Sequence, residues 1–258
     1  MSYDTVNYKR RGKIAFITLN RPRVLNAFNN QLYQDLAAAF SEFDKDEESW
    51  VSIVHGAGKC FSAGGDTKGD FFNQSDKKEV FNSAGALYES FLLGAVNWKP
   101  VIAAVHGYCL GTGFDLALQS DLIVAADNAQ FGITEIKRGM PGGPSAAMLR
   151  WFMPSKVAHE MLLTGEYMAA CEFYRLGLIN RLTPVGNHLQ AAEELAQKIL
   201  KVPPLAVRAE VRMNRLPLIG KRAEALLYSR SLHLNRTEDF AESAMAFTEK
   251  RPPLFHGR

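Results

Sequence analysis

The chain contains 258 residues, of which 47% are hydrophobic and 22% are charged, and its formal net charge is +3. This length allows a substantial core, and the composition is typical of a globular α/β domain rather than of a disordered or fibrous protein. The small net charge does not favour nucleic-acid binding, and three cysteines without metal-ligand spacing favour reduced thiols over a zinc site or a disulfide framework.

The first residues carry no recognisable targeting signal. Met1–Asp4 lead into neither an apolar signal core nor an Arg-rich amphipathic segment. No run in the chain approaches the ~20 apolar residues of a membrane span. We therefore expect a cytoplasmic protein that does not cross a membrane.

The N-terminal third alternates strands with a helix. The apolar run Ile14–Leu19 predicts a strand, which Asn20-Arg21-Pro22 ends because proline cannot donate to a β-ladder. From Gln31 the apolar residues recur at helical spacing, which predicts a helix with one buried face. Val51–Val54 predicts the next strand.

A glycine pair before an acidic residue marks the next feature, Ala63-Gly64-Gly65-Asp66. Glycines let the backbone approach a ligand closely, and Asp66 can cap the turn that follows. Taken alone, this pattern is equally typical of a plain tight turn. The polar residues 69–83 predict a loop over the site, and the apolar spacing from residue 87 to residue 98 predicts a helix.

The central stretch Val101–Gly143 combines two strands, a glycine-rich turn and two carboxylates. The strands are the apolar runs Val101–Val105 and Leu122–Ala126, and both have the pattern of strands that are buried on two faces. Between them, Leu110–Gly113 opens a short apolar helix, so the backbone N–H groups near Thr112 are free to face a ligand. As isolated residues, Asp115 and Glu135 would more often be a helix cap and an ion-pair partner.

The remainder is predicted to be mostly helical, with segments over 205–215 and 221–248 after Pro203-Pro204. A locally basic segment lies there and suggests either a solvated helix face or a subunit contact, with RNA binding as a remote alternative. Its cations are Arg208, Arg212, Arg215, Lys221 and Arg222.

These motifs, in this order and spacing, resemble the signature of the crotonase, or enoyl-CoA hydratase/isomerase, superfamily over nearly the whole chain. The matching segments are Asn20-Arg21-Pro22, Leu25-Asn26-Ala27, Phe61–Asp66, His106-Gly107, Phe131-Gly132 and Pro141-Gly142-Gly143. The resemblance implies an α/β fold in which a spiral of ββα turns over residues 1–186 carries the CoA-thioester site. It also implies a helical region over residues 187–258 that packs into homotrimers or into homohexamers built as dimers of trimers.

The resemblance further implies an oxyanion hole and an acid–base pair. The backbone amides of Gly65 and Thr112 would bind the thioester oxygen, and Asp115 and Glu135 would transfer protons. The family usually has glycine at the position of Thr112, but threonine also supplies a backbone amide. These roles imply an enzyme that hydrates a 2-enoyl-CoA with a straight, branched or cyclic acyl group.

A departure at Asp115 leaves an alternative open. Straight-chain hydratases usually carry glutamate there, and aspartate places its carboxylate about 1.5 Å further back. Either the substrate is bulkier, or the pair moves a proton between carbons, as in the family's dienoyl-CoA isomerases. Those isomerases have a further aspartate after the glutamate, whereas residues 138–143 contain no acid, so hydration is the first hypothesis and isomerisation the second.

The resemblance also assigns contacts to the CoA substrate. The residues implied to bind it are Arg23, Leu25, Ala63, Gly64, Asp66, Thr67, Leu110, Gly111 and Thr134. The C-terminal residues 249–255 resemble a tail that reaches a neighbouring subunit's CoA site, although His256 stands where some relatives carry lysine. No metal and no cofactor besides the CoA of the substrate are expected, and the remaining histidines are interpreted as structural.

Overall fold

The structure is a computed structural model, and it describes residues 3–66 and 97–258. The loop predicted over residues 69–83 lies outside the described residues, as does the helix predicted over residues 87–98 up to residue 96. Its last two predicted residues, 97 and 98, are not helical. The first described segment contains β1 (Val6–Arg11), β2 (Ile14–Leu19), α1 (Asn30–Lys45) and β3 (Val51–Gly56). The strand predicted over residues 14–19 is confirmed, whereas β1 was not predicted.

The second segment begins with the central stretch. It comprises β4 (Val101–Val105), β5 (Tyr108–Leu110), α2 (Thr112–Gln119), β6 (Leu122–Ala126) and β7 (Gln130–Gly132). Next come a 3-10 helix (Glu135–Arg138), α3 (Gly143–Phe152), α4 (Ser155–Thr164), β8 (Met168–Ala169), α5 (Ala170–Arg175) and β9 (Arg181–Thr183). The chain ends with α6 (His188–Ile199), α7 (Pro204–Ser231) and α8 (Glu238–Glu249).

A six-stranded sheet in the order β1-β2-β3-β4-β6-β9 lies at the centre. Only the hairpin pair β1–β2 is antiparallel, and the other neighbours are parallel. The carboxyl ends of β3, β4 and β6 therefore point the same way, and ligands bind beyond such ends in open α/β sheets. A smaller sheet, β5-β7-β8, continues from these ends.

The apolar residues of the large sheet alternate between two cores. Ile102 and Ala104 of β4 pack with Ala192 and Ala196 of α6 on one face. Val101, Ala103 and Val105 pack on the other face with the aromatic side chains of α1 and α2. Every residue of β4 is buried, as expected for a central parallel strand. Helix α6 thus covers the sheet, although the sequence prediction grouped it with the oligomerisation region.

The C-terminal helices differ from the sequence prediction of a break between residues 215 and 221. That prediction is wrong, because α7 runs without interruption from Pro204 to Ser231 through Pro217. An internal proline removes one helical hydrogen bond. Here the buried residues Arg215 and Arg222 fix the helix on both sides of the proline. No helix in the described part of the chain is long and apolar enough to cross a membrane.

Candidate active site

The candidate site lies where two chain segments run side by side beyond the sheet. Ser62, after β3, pairs in parallel with Cys109 of β5. Its amide donates to the Tyr108 carbonyl at 2.9 Å, and its carbonyl accepts from the Leu110 amide at 3.0 Å. Two residues further on, a Cβ built on Gly64 would stand 3.7 Å from the Cα of Gly111. The fold therefore brings together the two turns that the sequence singled out.

The close approach of the two turns requires small residues. Gly64 has φ +93°, and a Cβ on it would stand 3.0 Å from the Leu110 carbonyl oxygen. A Cβ on Gly113 would stand 2.6 Å from the Cβ of Ser62. Both contacts would force the backbones apart. The glycines are thus needed for packing as well as for the conformation of the turns.

The amide of Gly65 faces away from its β-partner. The Phe28 amide donates to the Gly64 carbonyl at 2.8 Å, and the Asp66 amide donates to the Phe28 carbonyl at 2.8 Å. Gly65 lies between these two bonded residues, and in a parallel bridge such a residue points its own N–H away from the partner strand, here away from Phe28. Among the described residues, no acceptor is found for the Gly65 amide.

The amide of Thr112 belongs to the first residue of α2, where helical N–H groups have no acceptor within the helix. No other described group accepts from this amide either. The Thr112 side chain is held separately, because the hydroxyl of buried Tyr33 donates to Thr112 Oγ1 at 3.2 Å. The threonine side chain is thus directed by α1 while its amide stays free.

Glu135 begins the 3-10 helix that follows β7, and its carboxylate lies against the turn before α2. A Cβ built on Gly111 would stand 2.6 Å from Glu135 Oε1. The residue as a whole is half-buried, but its Oε2 atom is buried and has no hydrogen-bond partner among the described residues. Burial raises the pKa of Glu135 to about 7, with the negative charge of Asp115 raising it further and Arg138 opposing the shift. Glu135 can therefore accept or release a proton near neutral pH.

Asp115 has a different environment. It is fully buried in α2, and Arg222 of α7 donates to both of its oxygens at 2.7 Å. Gln119, one turn along α2, also donates to Oδ2 at 2.8 Å. These contacts do not favour the sequence prediction that Asp115 exchanges protons with Glu135, because both oxygens are held by charged or polar donors.

Arg222 and Arg215 correct the interpretation of the basic segment. The prediction of a solvated face is wrong for these two residues, which are 5% and 3% exposed. Arg215 donates to both oxygens of Asp121, as Arg222 does to Asp115. Both cations are buried and paired with aspartates, so neither lies on a surface that could bind RNA.

The sequence held a signal for these buried arginines. Residues 211, 215, 218 and 222 recur at helical spacing, and Val211 and Leu218 are apolar. An arginine on an otherwise apolar stripe is either buried with a partner or covered by another chain. The spacing could not identify Asp115 as that partner.

The predicted CoA contacts lie mainly on the same edge. Arg23 is exposed, Leu25 has a left-handed backbone with φ 55°, and Asp66 pairs with Arg21 at 3.1 Å. Thr67 lies outside the described residues. The others flank the two turns or precede Glu135, namely Ala63, Gly64, Leu110, Gly111 and Thr134. Within residues 3–66 and 97–258, no group of His, Cys, Asp or Glu side chains is arranged to hold a metal ion.

Known proteins resemble this chain over its full length. A probable enoyl-CoA hydratase of Mycobacterium tuberculosis is 37% identical over 265 residues, which cover 100% of both chains. The carnitinyl-CoA dehydratase of Escherichia coli K12 is also 37% identical over 265 residues, with 99% of both chains covered. Among solved structures, a carnitinyl-CoA hydratase from Mycobacterium avium superposes with a TM-score of 0.86 at 33% identity and covers 100% of both chains.

The family-level match agrees with these relatives. The family described as Enoyl-CoA hydratase/isomerase matches residues 9–258. This range includes both turns, Asp115, Glu135 and the C-terminal helices. The chain therefore belongs to the enoyl-CoA hydratase/isomerase family, the crotonase superfamily, and is an enzyme that processes acyl-CoA thioesters.

Proposed function

We propose that this enzyme adds water reversibly across the double bond of a 2-enoyl-CoA, with Glu135 as its proton carrier. The observation that carries the proposal is the Glu135 carboxylate, which is packed against the Gly111 turn and has a pKa of about 7. A carboxyl group with this pKa is half-ionised at neutral pH. It can therefore both accept the proton of water and return a proton to carbon.

The amides of Gly65 and Thr112 would stabilise the charge that develops during this reaction. When water attacks the β-carbon, an O–C bond forms and the double-bond electrons move towards the thioester oxygen. Two N–H donors aimed at that oxygen stabilise the resulting enolate, and losing one such donor typically costs 10²–10³-fold in rate, or about 3 kcal/mol. Support comes from the parallel pairing of Ser62 with Cys109 just before the two turns and from the absence of any described acceptor for either amide.

Glu135 would complete the reaction. One of its oxygens takes the proton that the attacking water loses, and the group then delivers a proton to the α-carbon as the enolate collapses. The water supplies one hydroxyl and one hydrogen to the product, so atoms and charge balance. A single carboxyl group suffices for both transfers.

The assay is mass-resolved turnover of straight, branched and cyclic enoyl-CoA esters and of carnitinyl-CoA. With the enoyl-CoA esters, hydration predicts loss of the conjugated thioester absorbance together with a product that is heavier by one water. With carnitinyl-CoA, which is already a 3-hydroxyacyl thioester, the reverse reaction predicts a conjugated product that is lighter by one water. Glu135→Gln should lower kcat by about 10³-fold or more, since it removes the proton carrier. Unchanged turnover by Glu135→Gln would disprove the assignment.

One observation favours isomerisation as a second candidate. Because Asp115 is held by Arg222 and Gln119, one proton carrier remains, and moving a proton between two carbons of the acyl chain needs only one. A 3-enoyl-CoA substrate would then give a conjugated product of unchanged mass. The same mass measurement therefore separates the two reactions.

The proposed assembly is a homotrimer or a dimer of trimers. Supporting it, several large apolar side chains of α7 and α8 are exposed on this chain, including Met213, Tyr228 and Phe247. Large exposed apolar side chains lose this exposure when a second subunit covers them. Sedimentation equilibrium at micromolar protein should give three or six times the monomer mass of 28.7 kDa. A monomer would exclude the proposal.

A further inference from the structure

A buried ion pair connects the C-terminal helix α7 to the helix that starts at the site. Asp115 and Arg222 are 107 positions apart in the chain and are joined by two hydrogen bonds of 2.7 Å each. Their side chains are 0% and 6% exposed. Arg222 Nη1 also lies 3.5 Å from Met148 Sδ of α3. Among the described elements, the pair therefore lies between α2, α3 and α7.

Stability alone gives a weak reason for such a pair. Removing two charges from water costs several kcal/mol per ion, and well-packed apolar residues of the same size often stabilise a fold equally well. A planar guanidinium does, however, hold a carboxylate in one orientation through two parallel bonds. The geometry thus favours a role in fixing the position and charge of Asp115.

We propose that Arg222 is a positioning residue that holds Asp115 as a fixed anion, so that acid–base chemistry falls on Glu135 alone. The proposal rests on the proposed role of Glu135. Asp115 is then a source of negative charge near Glu135 rather than a second proton carrier. Arg222 limits the strength of that charge by neutralising most of it.

Within the described residues, two charged groups act on the pKa of Glu135. Asp115 of α2 raises its pKa and Arg138 of the same 3-10 helix lowers it. On the exposed side of that helix, Lys137 pairs with Glu166 at 2.7 Å. Arg222 is the partner of Asp115, so a change at either member of the pair alters the field at Glu135.

The test is the ionisation midpoint of Glu135 in four variants, measured from kcat against pH with crotonyl-CoA. Arg222→Met leaves the charge of Asp115 uncompensated and should raise the midpoint by about one pH unit. Asp115→Asn leaves the cation uncompensated and should lower it by a similar amount. The double variant, which combines Arg222→Met with Asp115→Asn, removes both charges. Its midpoint should lie between the midpoints of the two single variants. Arg222→Lys keeps the charge without the paired bonds, and should stay near the wild-type midpoint with a lower kcat.

The pH dependence of the loss in kcat distinguishes this mechanism from a general structural defect in the variant. Arg222→Met should lose about tenfold in kcat below the midpoint and recover at high pH, where Glu135 is ionised again. Its KM should change less than threefold, because the described contacts of Arg222 do not include the turn at residues 63–66. A loss that is equal at all pH values would indicate damage only and would overturn the proposal.

A matched control lies on the same helix. Arg215, whose side chain is 3% exposed, forms a paired contact with the 19%-exposed Asp121 on the far side of Pro217. Arg215→Met should destabilise the fold comparably without moving the Glu135 midpoint. Should either methionine variant fail to fold, Arg222→Lys, Asp115→Asn and the double variant retain the comparison.

A second readout does not require turnover. The carboxyl carbon of Glu135, labelled with ¹³C and assigned through Glu135→Gln, reports its ionisation by NMR. The expected result is opposite shifts of the midpoint in Arg222→Met and Asp115→Asn. Shifts in the same direction, or none, would overturn the role of Arg222. Absence of enoyl-CoA turnover by the wild type would instead overturn the proposed function and leave this titration valid.

Discussion

The Glu135 carboxylate occupies the space where a side chain at position 111 would begin. A Cβ on Gly111 would stand 2.6 Å from Oε1 and 3.4 Å from Cδ of Glu135. Gly111 also has φ 48°, a conformation that L-residues with side chains rarely adopt. Two independent requirements, backbone conformation and space for the carboxylate, thus fix glycine at this turn.

Gly111→Ala should displace Glu135 and lower kcat by about 100-fold, because a shift of about 1 Å in a reacting group has effects of this size. The positive φ of Gly111 should also cost about 1–3 kcal/mol of stability in the alanine variant. Gly12→Ala is the matched control, since Gly12 has φ +57° and no heavy atom within 4 Å of its Cβ position. The control should lose stability but keep its kcat. Full activity of Gly111→Ala would contradict the placement of Glu135.

Glu135→Gln should stabilise the protein at high pH while abolishing activity. The folded-state pKa of about 7 lies above the reference value of 4.5, so the folded state retains this proton longer than the unfolded state. The stability linked to Glu135 is therefore fully present below about pH 4.5 and is lost as the pH rises through about 7, by about 3 kcal/mol at most. Glutamine stays neutral and avoids this loss. Thermal unfolding should show a higher Tm than wild type at pH 8 and a similar Tm at pH 4.5, and an equal difference at both pH values would contradict the argument.

Thr112→Pro removes the amide proposed for the oxyanion hole while keeping a residue that the first helical position tolerates. We expect kcat to fall by about 10²–10³-fold. Thr112→Ala keeps the amide but removes the hydroxyl that Tyr33 contacts, and should retain most of the activity at a stability cost of about 1 kcal/mol. Circular dichroism should show equal helix content in both variants. Equal activity of the two would argue against a role for this amide.

A histidine pair predicts acid sensitivity. The rings of His106 and His188 stack at 4.6 Å, and the Nδ1 atoms of both are buried without a partner among the described residues. Burial lowers the pKa of His188 from 6.5 to about 4. As the pH falls through this window, the unfolded chain takes up the proton first, so stability decreases.

His188→Gln should therefore lessen the loss of stability between pH 6.5 and pH 4 by about 1–2 kcal/mol, allowing for the solvent that reaches the ring. Urea unfolding at the two pH values measures this difference. The exposed His159→Gln is the control and should behave like the wild type. Identical acid loss in His188→Gln and the wild type would show that the pair does not limit acid stability.

Local pattern was sufficient to predict much of the architecture. Strands β2, β4 and β6 lie where their apolar runs predict them, since a strand buried on both faces must be continuously apolar. The helix opening after Gly111 was also predicted, because glycine permits the turn and the first amides of a helix are free. Strands β5 and β7 were missed, since three-residue strands are too short to show a period.

The distribution of charge at the site was decided by tertiary structure. The two glycine turns are local features of the sequence, and its resemblance to the crotonase superfamily marked Gly65, Thr112, Asp115 and Glu135 within and after them. It could not show that Arg222 holds Asp115 while the Oε2 atom of Glu135 has no hydrogen-bond partner among the described residues. Ion pairs form between residues that folding brings together. The residues around position 115 do not indicate that position 222 is its partner, and the residues around position 222 do not indicate position 115. Only the packing of α7 against α2 and α3 distinguishes the fixed carboxylate from the one with a pKa near 7.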